Sequence, residues 1–292
     1  MPLPPKALIA PPPIERYTGG LYSAAPPQLG PVIDGDPDRW LNGLQFQAET
    51  CAKPKSWAPT CIDDVARVDK EFTLEFPDVG GTGFVEYLGV QCALVGHSLE
   101  DYRDILNRAL GACEQNAVER TFWTGDMGNS PRLVNDPNFT EFNAVIVNPV
   151  PATPMGIVEG IAALESRLAD EYCGVGVLHA PRGLAPYAAN LRQIEGTNPR
   201  LTTVLGTRWA FGAGYSVNTG PDGVAAPTDT AWIYATSAVQ IYRSSIWMQP
   251  DVLEQAFRTR TNFVEMLAER GFVITVDCPV KFAALVQLDC QC

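Results

Sequence analysis

The chain has 292 residues, 46% of them apolar, with 33 acidic and 21 basic side chains and a formal net charge of -12. That length and apolar content can bury the core of one elaborated domain or two ordinary ones. The acidity, with no run of Lys or Arg, excludes a protein that grips nucleic acid by its phosphates.

Residues 1 to about 62 read as an extended arm, with twelve prolines up to Pro59 and little periodicity. Leu21-Tyr22, Trp40-Leu41 and Leu44–Phe46 are its candidate anchors. Such an arm has no core of its own and must lie on the rest of the chain or on a neighbour. Its Pro-rich start lacks the apolar stretch of a secretion signal, and no window of about 18 apolar residues follows, so a soluble protein made in the cytosol is expected. Residues 63 to 97 carry two strand-like runs, Val65–Phe76 and Phe84–Val95, joined by a turn at Pro77–Gly83. This predicts a β-hairpin. Its glycines do not suit a phosphate loop, because a strand follows them instead of a helix N-terminus.

Residues 98 to 126 give the strongest signal. Leu99, Tyr102, Ile105, Leu106, Leu110, Cys113, Ala117 and Phe122 fall mostly three and four apart, as on one helix face. Ser98 suits the N-cap, Glu100 and Asp101 suit the first turn, and Gly125 supplies a stop. The rod would be roughly 36 Å long. A helix that long and only half apolar is a strut, with one face on a sheet and the other on something polar.

Gly125–Pro137 then reads as a loop and Ala144–Val147 as a short strand. Met155–Tyr172 predicts a second helix, with Ile157, Ile161, Leu164 and Leu168 on one face. Cys173–Leu178 is a strand running into His179-Ala180-Pro181, and a third helix extends to about Gln193 from Pro181 or Pro186. Strands around Leu201–Phe211, Ala231–Thr236 and Val239–Tyr242 complete an alternating α/β piece between about 155 and 245. The closing segment, Thr259–Asp277, reads as long strands joined by a bend at Gly271, although Phe263, Met266 and Leu267 also suit a helix.

Chemistry has few places to reside. Of two histidines, His97 precedes the helix cap and reads as a satisfied surface or hinge residue. His179 ends an apolar strand, where active sites of α/β folds gather. No GxSxG elbow and no HExxH spacing accompanies it, so a structural role is favoured. The enzyme alternative is an α/β hydrolase or transferase using His179 with Cys173. Glu159 and Asp170 oppose the apolar face of the second helix, flanked by Glu165 and Glu171, as on a solvated surface. Trp123 reads as a packing anchor in preference to a ligand-stacking group. Cys92, Cys113, Cys173 and Cys278 lie in or beside apolar patterns and are expected to be buried. Cys51, Cys61, Cys290 and Cys292 lie in polar or terminal segments, which leaves free thiols, a disulfide and a zinc site open, the last least supported by spacing. No catalytic, cofactor-binding or metal site is expected. An arm, a hairpin and a strut without a reactive cluster suit contact with copies of the same chain.

The ordered combination resembles a known family. Phe84–Gly96 (FVEYLGVQCALVG) leads into the long helix and its Phe122-Trp123-Thr124-Gly125-Asp126 end. Val175–Ala185 (VGVLHAPRGLA) and Thr261–Pro279 (TNFVEMLAERGFVITVDCP), with its Glu269-Arg270 pair, follow. The pattern is similar to the major capsid proteins of tailed bacteriophages, the Hong Kong 97-type capsid fold that encapsulin shells share. The resemblance implies an α+β fold with an extended N-terminal arm (1–62), an extended β-hairpin loop (63–97), a peripheral domain with the spine helix (98–154), an axial domain (155–245), and closing peripheral strands with a tail (246–292). It implies a virion protein that assembles with itself, as pentamers and hexamers, in the host bacterial cytoplasm. Its icosahedral head shell would enclose double-stranded DNA without sequence-specific binding, cofactor or membrane. The hairpin would lie over one neighbour and the arm would cross to another. Portal, scaffold and decoration proteins are candidate partners; an encapsulin-like compartment or a minor capsid protein is the alternative within the fold. Some relatives weld their shells through a Lys–Asn bond. Lys70 and Asn262 supply two ingredients, but Ala268 stands where a second acidic residue would precede Glu269, so no cross-link is expected. Cys51 and Cys61 could pair with each other or with Cys290 and Cys292 outside the reducing cytosol.

Overall fold

A computed structural model of the protein describes residues 12, 14–49, 51–57, 70, 76–93, 98–138, 140–150, 153–258, 260 and 263–288. In chain order the elements begin with α1 (Leu21–Ala24), β1 (Gln28–Leu29), β2 (Leu44–Gln47), β3 (Asp78–Gly81) and β4 (Gly83–Ala93). The long helix α2 (Leu99–Thr124) comes next, then β5 (Val145–Ile146) and the second helix α3 (Ile157–Glu171). After them run β6 (Val177–Pro181), α4 (Ala185–Asn190), β7 (Glu195–Thr197), β8 (Arg200–Thr202) and β9 (Arg208–Gly212). The chain closes with β10 (Thr230–Thr236), β11 (Val239–Arg243), β12 (Trp247–Gln249), β13 (Phe257–Arg258), β14 (Phe263–Val276) and β15 (Lys281–Gln287).

Helix α2 forms where its caps require. Ser98 Oγ accepts the Asp101 N–H at 3.1 Å and the Asp101 carboxylate accepts the Ser98 N–H at 2.7 Å, a reciprocal capping box. Gly125 ends the helix at φ 71°, a left-handed conformation that favours glycine. Its buried row is Leu106, Leu110, Glu114, Val118 and Phe122. Steps of four residues advance the row about 40° around the helix each time. The stripe expected through Cys113 and Ala117 therefore misses. Cys113 is exposed, and Ile105 and Ala117 are half-buried.

Two large sheets meet α2. The first is seven-stranded, in the order β5-β15-β10-β6-β9-β8-β7, with β6 parallel to β9 and antiparallel to β10. Alternation along β10 gives it two working faces. Ala231, Ile233 and Ala235 pack with Ile157, Ile161, Leu164 and Leu168 of α3. Trp232 and Tyr234 point the other way, into the cluster around Val118, Phe122 and Trp123 of α2. The strand β15 belongs to this sheet although it comes from the end of the chain. The second sheet is built on β14, a single 14-residue strand. Along one edge β14 pairs with β4 from Phe263↔Ala93 to Val273↔Gly83; along the other it pairs with β11, β12 and β13. Tyr102, Leu106 and Leu110 cover it with Val264, Met266 and Ala268. The strut thus rests its first half on the second sheet and wedges its last turns between both.

Several expectations are corrected. No bend occurs at Gly271, which sits inside β14 opposite Val85. Helical spacing at Phe263, Met266 and Leu267 gives way to strand, because alternation buries Val264, Met266 and Ala268 on α2. The third helix shrinks to a 3-10 turn at Arg182–Leu184 and the six residues of α4. The run Leu201–Phe211 divides into β8 and β9 around an exposed loop. The expected strand at 144–147 is two exposed residues, Val145 and Ile146. Of the predicted hairpin, residues 65–69 and 71–75 lie outside the described residues; its second strand, β4, pairs with β14. The expected turn at Pro77–Gly83 is largely strand, since β3 pairs with β2. Its glycines answer to crowding: a Cβ on Gly81 would lie 2.0 Å from the Ile274 carbonyl oxygen, and one on Gly83 would lie 2.0 Å from that of Leu41.

The segment before β3 rests on its own chain. Leu21 and Trp40 are fully buried, β1 pairs with β11, and Gly30 N–H reaches the Arg243 carbonyl at 3.1 Å. The anchors read from sequence are real anchors, and their pocket is intramolecular.

The turn after β9 presses directly on α2. A Cβ at Gly214 would lie 2.2 Å from the Asn116 carbonyl oxygen and 2.6 Å from the Arg120 nitrogen, both helix backbone that cannot yield. Gly214→Ala is expected to destabilise the protein by about 3 kcal/mol, at the upper end of overpacking effects. A thermal melt checks this; an unchanged midpoint would show that the contact is loose.

Candidate assembly surfaces and the buried junction behind them

The most constrained polar group is Glu119, fully buried on α2. Its Oε1 accepts the Leu21 N–H at 2.8 Å and the Gln115 amide at 3.0 Å; its Oε2 accepts the Tyr17 hydroxyl at 2.6 Å and the Gly214 N–H at 3.1 Å. One side chain thereby joins the N-terminal segment, the spine and the turn after β9. Burial, and then the neighbouring Glu119, push the Tyr17 phenol well above its ordinary pKa. One turn earlier, Glu114 takes Arg243 at 2.9 Å and Arg270 at 2.5 Å on its two oxygens. Arg270, read only as half of an acidic-Arg pair, pins β14 to the spine; Glu269 accepts from Gln249 at 2.9 Å. Glu114 went unremarked in the sequence; the signal that would have found it is the four-residue ladder from Leu106 to Phe122, which it completes. Glu119 lies one position off that row, and only a long-range partner explains its burial.

His179 is fully buried, with both ring nitrogens engaged. Thr236 Oγ1 gives its proton to the Ser237 carbonyl at 2.9 Å, so it accepts from Nε2–H at 2.9 Å. The Tyr215 hydroxyl donates to Nδ1 at 3.1 Å. This network assigns a neutral tautomer with no lone pair left for proton abstraction. Burial lowers its pKa to about 3. Phe122 meets the ring edge-on, centroids 5.5 Å apart. His97 lies outside the described residues. Trp123 is buried, donates to Thr219 at 2.9 Å and packs on Tyr215 and Tyr234.

The acidic residues of α3 divide. Glu159 is exposed and closes the helix start by accepting the Gly156 N–H at 3.2 Å; Asp170 is exposed. Glu165 binds the hydroxyls of Thr203 and Thr207 at 2.6 and 2.7 Å, holding the β8–β9 loop. Glu171 pairs with Lys53 at 3.2 Å. Lys281, unremarked in the sequence, is buried and donates to the carbonyls of Arg132 (2.7 Å) and Val134 (3.4 Å), which ties the loop after α2 to β15. Burial draws its pKa down to about 7, with Arg132 adding to the shift and Asp136 opposing it.

The cysteines depart most from expectation. Cys113 and Cys173 are exposed, not buried. Cys278 is buried but bonded to Cys51, with Cα atoms 5.5 Å apart. Apolar neighbours in sequence did not translate into burial at Cys113 because the buried row winds past it. Cys61, Cys290 and Cys292 lie outside the described residues, as does Asn262; Lys70 is exposed, its ammonium 4.8 Å from the Trp57 ring centre.

Surfaces suited to association are apolar and open. On the β4–β14 ribbon, Phe84, Glu86 and Val90 turn inward, and Glu86 accepts the Thr121 hydroxyl at 2.9 Å. The opposite face presents Val85 and Tyr87, the latter 69% exposed, beside Leu267. At the far end of the seven-stranded sheet, Val204 and Leu205 stand 56% and 76% exposed on the β8–β9 loop. Among the described residues, no three His, Cys, Asp or Glu side chains gather as a metal site and no helix is long and apolar enough to cross a membrane.

No protein-family model and no curated protein matches the sequence. Solved structures do match the fold. The capsid chain of a native gene transfer agent particle aligns with a TM-score of 0.56 at 12% identity, over 98% of this chain and 96% of that one. The capsid of the empty particle gives 0.55 at 14% identity, over 98% and 95%. A chain of Mycobacterium phage Bobi gives 0.53 at 13% identity, over 97% and 95%. From the N-terminal segment to the closing strands, this chain is a mixed α+β protein with the fold of those capsid chains.

Proposed function

We infer that the protein is a major capsid protein, a subunit that self-assembles into the icosahedral head of a tailed bacteriophage and encloses its double-stranded DNA. The observation that carries the reading is the fold held in common with capsid chains over nearly the whole length. Physical features agree with it. The ribbon and the β8–β9 loop offer apolar surface of the kind obligate interfaces cover, commonly more than about 2,000 Å². A net charge of -12 keeps a shell lining from adhering to packed DNA. The only described histidine has both nitrogens occupied, which favours a structural role over hydrolase or transferase chemistry.

In this reading residues 98–154 and 246–292 form the peripheral domain. Residues 155–245 form the axial domain, with Val204 and Leu205 toward the five- and six-fold axes. The loop within 63–97 covers a neighbour, and residues 1–62 act as the arm. Assembly takes place in the host cytoplasm, with a portal and any scaffold or decoration proteins as partners.

Negative-stain microscopy of purified protein is expected to show capsomers or icosahedral particles. Tyr87→Asp, on the outward ribbon face, is expected to abolish them while leaving the far-ultraviolet circular dichroism of the subunit unchanged. A wild-type protein that stays strictly monomeric at high concentration would overturn the reading.

A further inference from the structure

The Cys51–Cys278 disulfide has a third thiol beside it. Cys173 is exposed, and its Sγ lies 3.9 Å from the carbonyl oxygen of Ala52, the residue next to Cys51. The Lys53–Glu171 ion pair at 3.2 Å joins the same two segments. Together the two contacts set residues 52 and 53 beside 171–173, which brings the disulfide at Cys51 to the end of α3 where Cys173 stands. The two flanking thiols differ in kind. Cys278 is 2% exposed, and Ser237 grips its backbone by accepting its N–H at 3.0 Å and donating to its carbonyl at 2.7 Å. Cys173 lies just past the end of α3, next to Tyr172, whose hydroxyl donates at 2.8 Å to Asp277, the neighbour of Cys278.

We propose that Cys51, Cys173 and Cys278 form an intramolecular thiol–disulfide exchange centre. The Cys173 thiolate attacks Sγ of Cys51; the Cys51–Cys278 bond breaks, a Cys51–Cys173 bond forms, and Cys278 leaves as a thiolate that takes up a proton. One disulfide is consumed and one is made, so no oxidant or reductant is needed. The N-terminal segment can then be held by either of two elements, the turn between β14 and β15 or the end of α3. Once the Cys51–Cys173 bond has formed, exposed Cys173 is the disulfide sulfur that an external thiolate would attack, releasing Cys51 as a thiolate. The assignment does not depend on the shell reading.

The test is peptide mapping after acid quench and alkylation, without reduction. Full-length protein held at about pH 8.5, near the ordinary cysteine pKa, is expected to accumulate the Cys51–Cys173 peptide, which Cys173→Ser removes. Cys278→Ser, mildly oxidised with glutathione disulfide, is expected to trap the same bond. The Cys51–Cys173 peptide from either preparation supports the exchange centre. Its absence from both, with Cys51 bonded only to Cys278 in wild type and only to glutathione in the variant, overturns it.

Discussion

Glu119→Ala is expected to lower the unfolding free energy of the protein by about 3–5 kcal/mol, the loss typical when buried charged partners are removed from their donors. The variant leaves the part-buried Tyr17 hydroxyl, and the buried Gln115 amide and N–H groups of Leu21 and Gly214, without their acceptor. Two of these donors belong to the segment before β1, so the loss has a direction as well as a size. Amide exchange should accelerate at Leu21 and Gly214 before it does in β10 or β15. Tyr17→Phe removes one donor of the four and is expected to lose only about 1 kcal/mol. Urea unfolding of the three proteins, with exchange measured residue by residue, checks both statements. An alanine variant within about 1 kcal/mol of wild type would mean that the segment is held by Leu21 and Trp40 packing alone.

The long helix and its caps were legible because every determinant is local. Ser98, Asp101 and Gly125 act within one turn of where they stand, and the spacing of α3 is equally self-contained. The strand tracts Phe84–Val95, described as strand as far as Ala93, and Phe272–Val276 were legible as strands, but not as partners of each other. Pairing Val85 with Gly271 joins residues far apart in sequence, and nothing in either segment names the other. The glycines at 80, 81 and 83 show the same limit. Their presence signals an unusual backbone demand, and a turn is the usual answer; here the demand comes from Leu41, Leu44 and Ile274 pressing on them.

The candidate surfaces divide along the same line. Tyr87 and Leu205 gave no periodic signal to set them apart from core residues, since exposure of an apolar side chain depends on what the fold leaves uncovered. His179 reads as structural on the absence of catalytic companions, and the fold buries it with both ring nitrogens engaged. Its actual partners, Tyr215 and Thr236, come from two other segments and were not named by the sequence.

His179 leads to the second large effect. Its pKa is about 3 in the fold, against about 6.5 in the unfolded chain. Above about pH 6.5 the ring is neutral in both states and adds no pH dependence. As pH falls from 6.5 toward 3, the unfolded chain takes up a proton that the folded chain refuses, so stability falls with acidification. Below about pH 3 both states are protonated and the loss levels off, having reached roughly 5 kcal/mol in total and about 3 kcal/mol by pH 4. Carboxylates also titrate in this window, which a difference measurement removes. His179→Gln keeps a donor and an acceptor beside Tyr215 and Thr236 without a titrating ring. Wild type minus variant, followed by urea unfolding at pH 7, 5.5 and 4, is therefore expected to shrink steadily as pH falls. His97 is the only other histidine, and it is common to both proteins and cancels. A difference that stays constant from pH 7 to 4 would show that the buried ring finds its proton as readily as water provides it, and that the network through Thr236 and Ser237 does not hold it neutral.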